Sequence, residues 1–422
     1  MGPANQLGRL PSRTTECPER ITMSSTRRIG IFTGNRAEYG LLFPILDAVR
    51  KDPDLELALF VGGAHLSDDF GRSLAEVEAD GFEVAASVPI ELSEDTLAAT
   101  AEAIGRGVIS VSRALAEIQP DIFVVYADRF EGFAALIASS QMGIPTVHVE
   151  GGDLTEGGAL DDTVRHAMTK LAHIHMTTNQ EAARRVRALG EEEWRIFNVG
   201  FPTIDLIKAG DFDQPEAVAE KLGLDLDRPV LVFTQHSITT EADQALQQLE
   251  PSLDALGRAV GELGAQCVLT YPNNDAGGAR IAARLEEWAG NGRIDVVLRR
   301  SLGRRLYHGV LSVCGRVTRG ACIGNSSSGL KETPAFGCPT VNIGSRQAGR
   351  LAGGNVINVG YDAEEIFAAI RRSTADDAYR KAVSEAPNPY GAGDTGPRVA
   401  GILGALDLKD PRILRKRTIL EI

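Results

Sequence analysis

In the first half of the chain, acidic residues follow directly on two short apolar runs. DIFVVYA (121–127) ends at Asp128-Arg129, and TVHV (146–149) leads into Glu150-Gly151-Gly152-Asp153. A third pair, Asp161-Asp162, opens LDDTVRHAMTK, with Arg165 four residues after Asp161. Carboxylates gathered at neighbouring strand ends can take and give protons, and repulsion among them raises the pKa of at least one member. That is the condition for general-acid work near neutrality. Period-two alternation puts His148 and Glu150 on one side of their strand, and the glycines allow close backbone approach by a ligand. The competing uses are structural: Asp128 paired with Arg129, and Asp161 or Asp162 capping the helix that begins there.

The second half supplies groups suited to an anion. Gly324-Asn325-Ser326-Ser327-Ser328-Gly329-Leu330-Lys331-Glu332 is a small-residue loop between a strand and a helix, whose N–H groups and hydroxyls suit a phosphate or pyrophosphate. The GK[ST] ending of a Walker A loop is missing, and no serine has glycines at both second positions. Glu332 can reach a sugar hydroxyl or serve as an ordinary surface glutamate. His236 ends the run PVLVFTQ, and Arg346 and Arg350 follow VNIGS. In the first half, Gly34-Asn35-Arg36 ends IGIFTG ahead of an amphipathic helix, so Arg36 either meets an anion there or is solvated. His166, His173 and His175 lack a third ligand at a recognisable spacing, so no metal is expected; each is read as packing against helices and donating one hydrogen bond.

These residues need a scaffold that brings strand ends together. Short β-branched runs alternate with helical stretches, the pattern of parallel sheets covered on both faces. The strand candidates are 28–33, 55–62, 83–88, 121–127, 145–150, 173–178 and 195–199, then 229–234, 266–271, 294–298, 319–323, 340–343 and 355–359. Between the two series, 201–227 mixes Pro, Gly and acidic residues. The expected fold class is therefore α/β, with two Rossmann-like doubly wound domains in tandem and ligands bound outside the carboxyl ends of the strands. Residues 1–26 read as a disordered extension with Met23 as a possible start, 27–205 as the first domain and 206–390 as the second.

Composition sets further bounds. The chain has 422 residues, 43% apolar and 24% charged, with a net charge of -13. The acidic balance argues against a nucleic-acid partner, which would need a surplus of Lys and Arg on one face. No apolar run is long enough for a membrane span, and no secretory leader is recognisable, so a cytoplasmic protein without a membrane partner is expected. Five scattered cysteines without a CxxC pair fit reduced thiols.

Taken in order, TGNRAEYG, ADRFE, HVEGGD with LDDTVRHAMTKLAHIH, FNVGFPTID, TQHS, TYPNNDAGG and GNSSSGLKETPAFGCPTVNIGSRQAGR resemble the UDP-N-acetylglucosamine 2-epimerase family, specifically its hydrolysing branch. The resemblance spans about residues 28 to 405. It implies the glycosyltransferase-B arrangement, with substrate in the interdomain cleft and a C-terminal helix near 394–405, within a 391–410 segment, returning to the first domain. It also implies conversion of UDP-N-acetylglucosamine and water to N-acetylmannosamine and UDP, feeding sialic-acid synthesis, without a cofactor and in a homo-oligomer. Similar enzymes act on a UDP-linked 2,4-diacetamido-trideoxy sugar on the way to legionaminic acid.

By motif, Asp128, Glu150, Asp161 and His236 resemble the family's catalytic residues. Arg36, Ser326, Ser327, Ser328, Glu332 and Arg346 resemble its nucleotide-binding positions, and Arg129, Asp162, Arg165 and Gly329 flank them on the expected substrate side. One departure is Ala127, where the family commonly has Gly; its methyl narrows the approach to Asp128. The alternatives are a glycosyltransferase of the same architecture and a non-catalytic nucleotide-sugar sensor.

Overall fold

The computed structural model describes residues 26–67, 73–92, 96–154, 160–273, 276–290 and 295–419. Residues 1–25 of the expected N-terminal extension, Met23 among them, lie outside the described residues, as do Asn274 and Asp275.

Two parallel sheets organise the chain. The first contains β1 (Arg27–Thr33), β2 (Leu55–Gly62), β3 (Val84–Val88), β4 (Ile122–Tyr126), β5 (Thr146–Val149), β6 (Ile174–Thr177) and β7 (Ile196–Asn198), in the order β3-β2-β1-β4-β5-β6-β7. The second contains β8 (Val230–Thr234), β9 (Gln266–Thr270), β10 (Val296–Arg299), β11 (Ala321–Gly324), β12 (Thr340–Ile343) and β13 (Val356–Val359), in the order β10-β9-β8-β11-β12-β13. Strand order reverses beside β1 and β4 in one sheet and beside β8 and β11 in the other. Crevices open at such switch points.

The apolar runs are continuous because both sheet faces are covered. All five residues of β4 are fully buried. Val124 and Tyr126 join the core under the helix Arg36–Lys51, while Phe123 and Val125 join Phe60, Ala135 and Leu136 on the opposite face. Each such large side chain contributes about 1.5–3 kcal/mol on leaving water.

The chain crosses between the sheets twice, at Gly200-Phe201 and at Tyr390-Gly391, where the Phe201 N–H donates to the Tyr390 carbonyl at 2.7 Å. After the second crossing the helix Thr395–Ala405 returns to the first sheet, and Val399, Ala400 and Leu403 enter its core. Asp205 caps that helix by accepting from the Thr395 and Gly396 N–H groups at 2.9 and 2.7 Å. Gly396 is required there, since a Cβ would fall 2.3 Å from the Pro44 carbonyl oxygen. Among the described residues no helix is long and apolar enough to cross a membrane.

Candidate active site at the facing strand ends

In the first domain, β4 and β5 both end on a residue with a left-handed backbone: Ala127 at φ +56° and Glu150 at φ +66°. For an L-residue that conformation costs roughly 1–2 kcal/mol. Hydrogen bonds hold it. The Ala127 N–H donates to the Val149 carbonyl at 2.9 Å, and the Glu150 N–H donates to the Met176 carbonyl at 2.8 Å. His148 is fully buried, with Nε2 2.6 Å from the Ala127 carbonyl and Nδ1 3.1 Å from Thr169 Oγ1. Burial lowers the pKa of His148 to about 3, so the ring is neutral at pH 7 and acts as a buttress. The expected sharing of one face by His148 and Glu150 does not hold, because β5 ends at Val149 and the turn at Glu150 breaks the alternation.

Arg165 joins the two strand ends. Its guanidinium pairs with Asp128 Oδ2 and donates to the Glu150 carbonyl at 3.0 Å. The expected Asp128–Arg129 pair does not form. Arg129 lies exposed, 3.5 Å from Glu131. Burial is the main cause that raises the Asp128 pKa; Arg165 opposes it, and Asp161 and Glu150 add to it. Repulsion among the carboxylates is therefore present but ranks below desolvation.

The helix Leu160–Leu171 already contains Asp161 and Asp162 in its first turn, so neither stands before it as a cap. Negative charge is favoured there by the helix dipole. Asp161 is exposed and acts electrostatically on both Asp128 and Arg129, whereas Asp162 is buried and faces Arg165 and His166.

In the second domain, β11 ends at Gly324 with φ +122°, where a Cβ would sit 2.0 Å from the Thr234 carbonyl oxygen. Only glycine fits. Asn325, one residue on, organises three segments. Its Oδ1 accepts from the His236 N–H at 2.7 Å, its Nδ2 donates to the His236 carbonyl at 2.9 Å, and its own carbonyl accepts from Gln347 at 2.8 Å and Arg346 at 3.2 Å.

His236 Nδ1 accepts from the Asn273 N–H at 3.0 Å, which leaves the ring proton on Nε2. Burial, and then Arg346, lower its pKa to about 4, so the ring is a neutral donor at pH 7. In the serine loop, Ser326 Oγ is 3.1 Å from Ser328 Oγ, which is 2.5 Å from the Tyr307 hydroxyl. Gly329 packs against Thr340, and Ser327 precedes the short helix Ser328–Lys331. Glu332 is held 3.1 Å from His308 Nε2, so it is neither an ordinary surface glutamate nor aimed freely into the gap.

Lys331 was not singled out by its sequence motif, yet it carries a charge from one half to the carboxylates of the other. Its ammonium reaches out of the second domain to Glu150 Oε1 and, at 2.6 Å, to Asp153 Oδ2. Phe201 and Tyr390 from the two crossing segments present their rings to it at 5.0 and 5.9 Å. Two arginines make further bridges. Arg185 donates to the carbonyls of Gly152 at 3.1 Å and Gly349 at 2.6 Å, while Arg350 donates to the Leu154 carbonyl. Arg36 does not join this group: its side chain is 73% exposed and pairs with Glu76 at 2.8 Å.

The sequence profile of the UDP-N-acetylglucosamine 2-epimerase family matches residues 47–404. The chain belongs to that family. A relative from Legionella pneumophila, named UDP-N,N'-diacetylbacillosamine 2-epimerase (hydrolyzing), is 30% identical over 92% of this chain and 98% of its own length. One from Campylobacter jejuni, named GDP/UDP-N,N'-diacetylbacillosamine 2-epimerase (hydrolyzing), is 32% identical over 79% of this chain and 84% of its own. The fold matches the crystal structure of UDP-GlcNAc 2-epimerase from Neisseria meningitidis bound to UDP-GlcNAc, with a TM-score of 0.72, 16% identity, and coverage of 88% of this chain and 97% of that one. The chain is thus an enzyme of the hydrolysing 2-epimerase type, with the two-domain fold of its relatives.

Other polar residues of this epimerase serve structure. His173 Nδ1 accepts from the Thr146 N–H at 3.0 Å, the reverse of the expected donation, and His175 Nε2 lies 2.9 Å from Glu191. His166 Nδ1 is buried without a partner. Among the described residues no group of three or more His, Cys, Asp or Glu could hold a metal ion. A cavity of about 340 Å³ at the hinge, lined by Gln180, Asn198, Gly200, Leu351 and Arg398 among others, contains none of the strand-end carboxylates.

Proposed function

We propose that this epimerase converts UDP-N-acetylglucosamine and water to N-acetylmannosamine and UDP. A carboxylate of the Asp128, Glu150 and Asp161 group takes the C2 proton of the sugar. The C1–O bond to the diphosphate breaks, the electron pair leaves with UDP, and a C1=C2 double bond forms. Water then adds, hydroxyl to C1 and a proton to C2 from the opposite face, which inverts C2. The acidic and basic roles are left to the group as a set, because coupled carboxylates titrate together.

The observation that carries this reading is the meeting of the two switch points. Carboxylates anchored by Arg165 stand at the ends of β4 and β5, and Lys331, in the segment that follows β11 and the serine loop, pairs with Glu150 and Asp153 there, while Asn325 of the same loop holds His236. Such facing is what elimination from a weak carbon acid needs: a base within roughly 3 Å of the proton and donors for the departing charge. His236, neutral with its proton on Nε2, suits the donor role. Ser326, Ser327, Ser328 and Gly329 suit the diphosphate, with Arg346 holding their loop through Asn325. Arg129 and Asp162 are proposed to line the sugar side, while Arg36 and Glu332 would have to leave Glu76 and His308 to reach the nucleotide.

A second sugar is favoured by the naming of both the Legionella relative, for UDP-N,N'-diacetylbacillosamine, and the Campylobacter relative, for GDP/UDP-N,N'-diacetylbacillosamine. The experiment is mass spectrometry of products from both UDP-sugars and their GDP counterparts, in deuterated water without an acceptor. Free UDP and a C2-deuterated, epimerised sugar are expected. Product without deuterium at C2 would exclude the elimination route, and binding without any product would favour a sensor.

A further inference from the structure

Lys331 sits in the nucleotide loop but spends its charge on the other domain. Its side chain is 7% exposed, as is that of Glu150, and Asp153 is 1% exposed. A lone ammonium in such a place would be costly, so the two carboxylates and the two aromatic faces are what allow it to be buried there. The lysine follows Ser326, Ser327 and Ser328 within a single turn of helix. Any movement of the loop that grips the diphosphate therefore moves the cation that faces Glu150.

We propose that Lys331 is a positioning residue, which reaches across from the second domain and orients the Glu150 side chain at the end of β5. The proposal rests on the reading that Glu150 works as one of the reacting carboxylates.

Asp153 makes the arrangement durable. It anchors the same ammonium, and the nearby cations Lys331, Arg350 and Arg165 hold its carboxyl well below the usual range despite burial. Asp153 thus stays charged and keeps Lys331 in place. The groups that face Glu150 are Lys331 from the second domain, Asp153 from its own turn, Arg165 from the helix Leu160–Leu171, Asp128 from the end of β4, Tyr126 within β4, and Tyr390 from the second crossing segment. Lys331 is the cation of that set that reaches Glu150 from the second domain.

The test compares Lys331→Met, which keeps the length and removes the charge, with Lys331→Arg, which keeps the charge. The Glu150 carboxyl is followed at neutral pH by NMR in protein labelled with [5-¹³C]glutamate, its resonance identified by its loss in Glu150→Gln. The expected result is a resonance displaced in Lys331→Met and returned most of the way in Lys331→Arg. In parallel, kcat for UDP release should fall about tenfold in Lys331→Met with KM within about threefold, and should recover most of the way in Lys331→Arg, as expected when a reacting carboxylate loses the group that places it.

An unmoved resonance overturns the proposal, and so does a moved resonance with unchanged kcat. Equal losses in both variants would mean that Lys331 only packs, which also overturns it. Should Lys331→Met fail to fold by circular dichroism, Lys331→Gln takes its place under the same criteria. The NMR arm needs no turnover, so wild-type enzyme that processes no UDP-sugar would refute the functional reading while the resonance still decides the role of Lys331.

Discussion

Asp128 and Arg165 form a buried pair at the centre of the carboxylate group, so stability and catalysis are entangled there and have to be separated by a cycle. Breaking a buried pair by removing one partner costs about 3–5 kcal/mol. Asp128→Asn keeps an amide oxygen in reach of the guanidinium, and Asp128 retains 14% exposure, so that variant belongs at the low end or somewhat below, about 2–3 kcal/mol. Arg165→Met also removes the donor to the Glu150 carbonyl and belongs at the upper end. The double variant leaves neither charge stranded and should recover about 1–3 kcal/mol of coupling. Turnover should behave differently: each single variant loses about 10²–10⁴ in kcat, and the double variant regains none of it, because the reacting carboxylate is still missing. Urea unfolding gives the first quantity, and a coupled assay of UDP release gives the second. Turnover that returned in the double variant along with stability would show that Asp128 merely balances Arg165, and would remove it from the chemistry.

Three further outcomes follow from the same geometry. Gly324→Ala places a Cβ against the Thr234 backbone at a φ that only glycine favours, so a loss of about 2–4 kcal/mol is expected, with UDP affinity by calorimetry down at least about tenfold; unchanged affinity would detach this loop from the nucleotide. His236, with its pKa lowered to about 4, stays neutral from pH 6 to 8, so wild type and His236→Gln should give kcat/KM profiles of the same shape and different height there. An inflection near 6.5 that vanishes in the variant would contradict this. Glu191, buried among Lys170, His175 and Lys416, has its pKa lowered to about 2, so its stabilisation is complete above the unfolded value near 4.3 and is lost as pH falls toward 2. Glu191→Gln should therefore be less stable by about 3 kcal/mol at pH 7, with the gap from wild type narrowing as pH falls from about 4 toward 2; a constant gap would refute the linkage.

Much of the scaffold is legible because central parallel strands such as β4 and β8 are uninterrupted apolar runs with a polar break after them, as in IFVVY before Ala127 and Asp128. The same rule located Glu150, His236 and the serine loop without reference to tertiary contacts. What it could not locate depends on contacts distant in sequence. Lys331 meets Glu150 across 181 positions and two domains, and nothing in the local spacing of GLKE marks its direction. Arg165 read as a substrate-side cation because its commitment to Asp128 arises only when β4 and the helix Leu160–Leu171 come together. Arg36 read as an anion ligand from its place at a helix start, but its exposed side chain finds Glu76 forty residues on. Asn325 went unremarked within the serine loop, although its amide ties β8 to β11, since the partners of a side-chain amide cannot be read from its neighbours in sequence.

Backbone strain points to the same place by an independent route. Among the described residues, three other than glycine have positive φ: Gln119, Ala127 and Glu150. Gln119 closes the helix Leu97–Ile118, where a left-handed residue is the ordinary way to end a helix. No such use explains the other two. They sit at the ends of adjacent strands, immediately before Asp128 and at Glu150 itself, and each is held by bonds from neighbouring strands. At position 127 the strain is avoidable in principle, since glycine would adopt φ +56° freely, yet the chain carries alanine and supports it with the buried His148. Strain of this kind persists only where surrounding contacts over-determine it, and it gathers where a side chain must be aimed. The two turns aim Asp128 and Glu150 each toward its own cation, Arg165 from the same domain for Asp128 and Lys331 from the other for Glu150. A plain strand end would have left both carboxylates following the pleat.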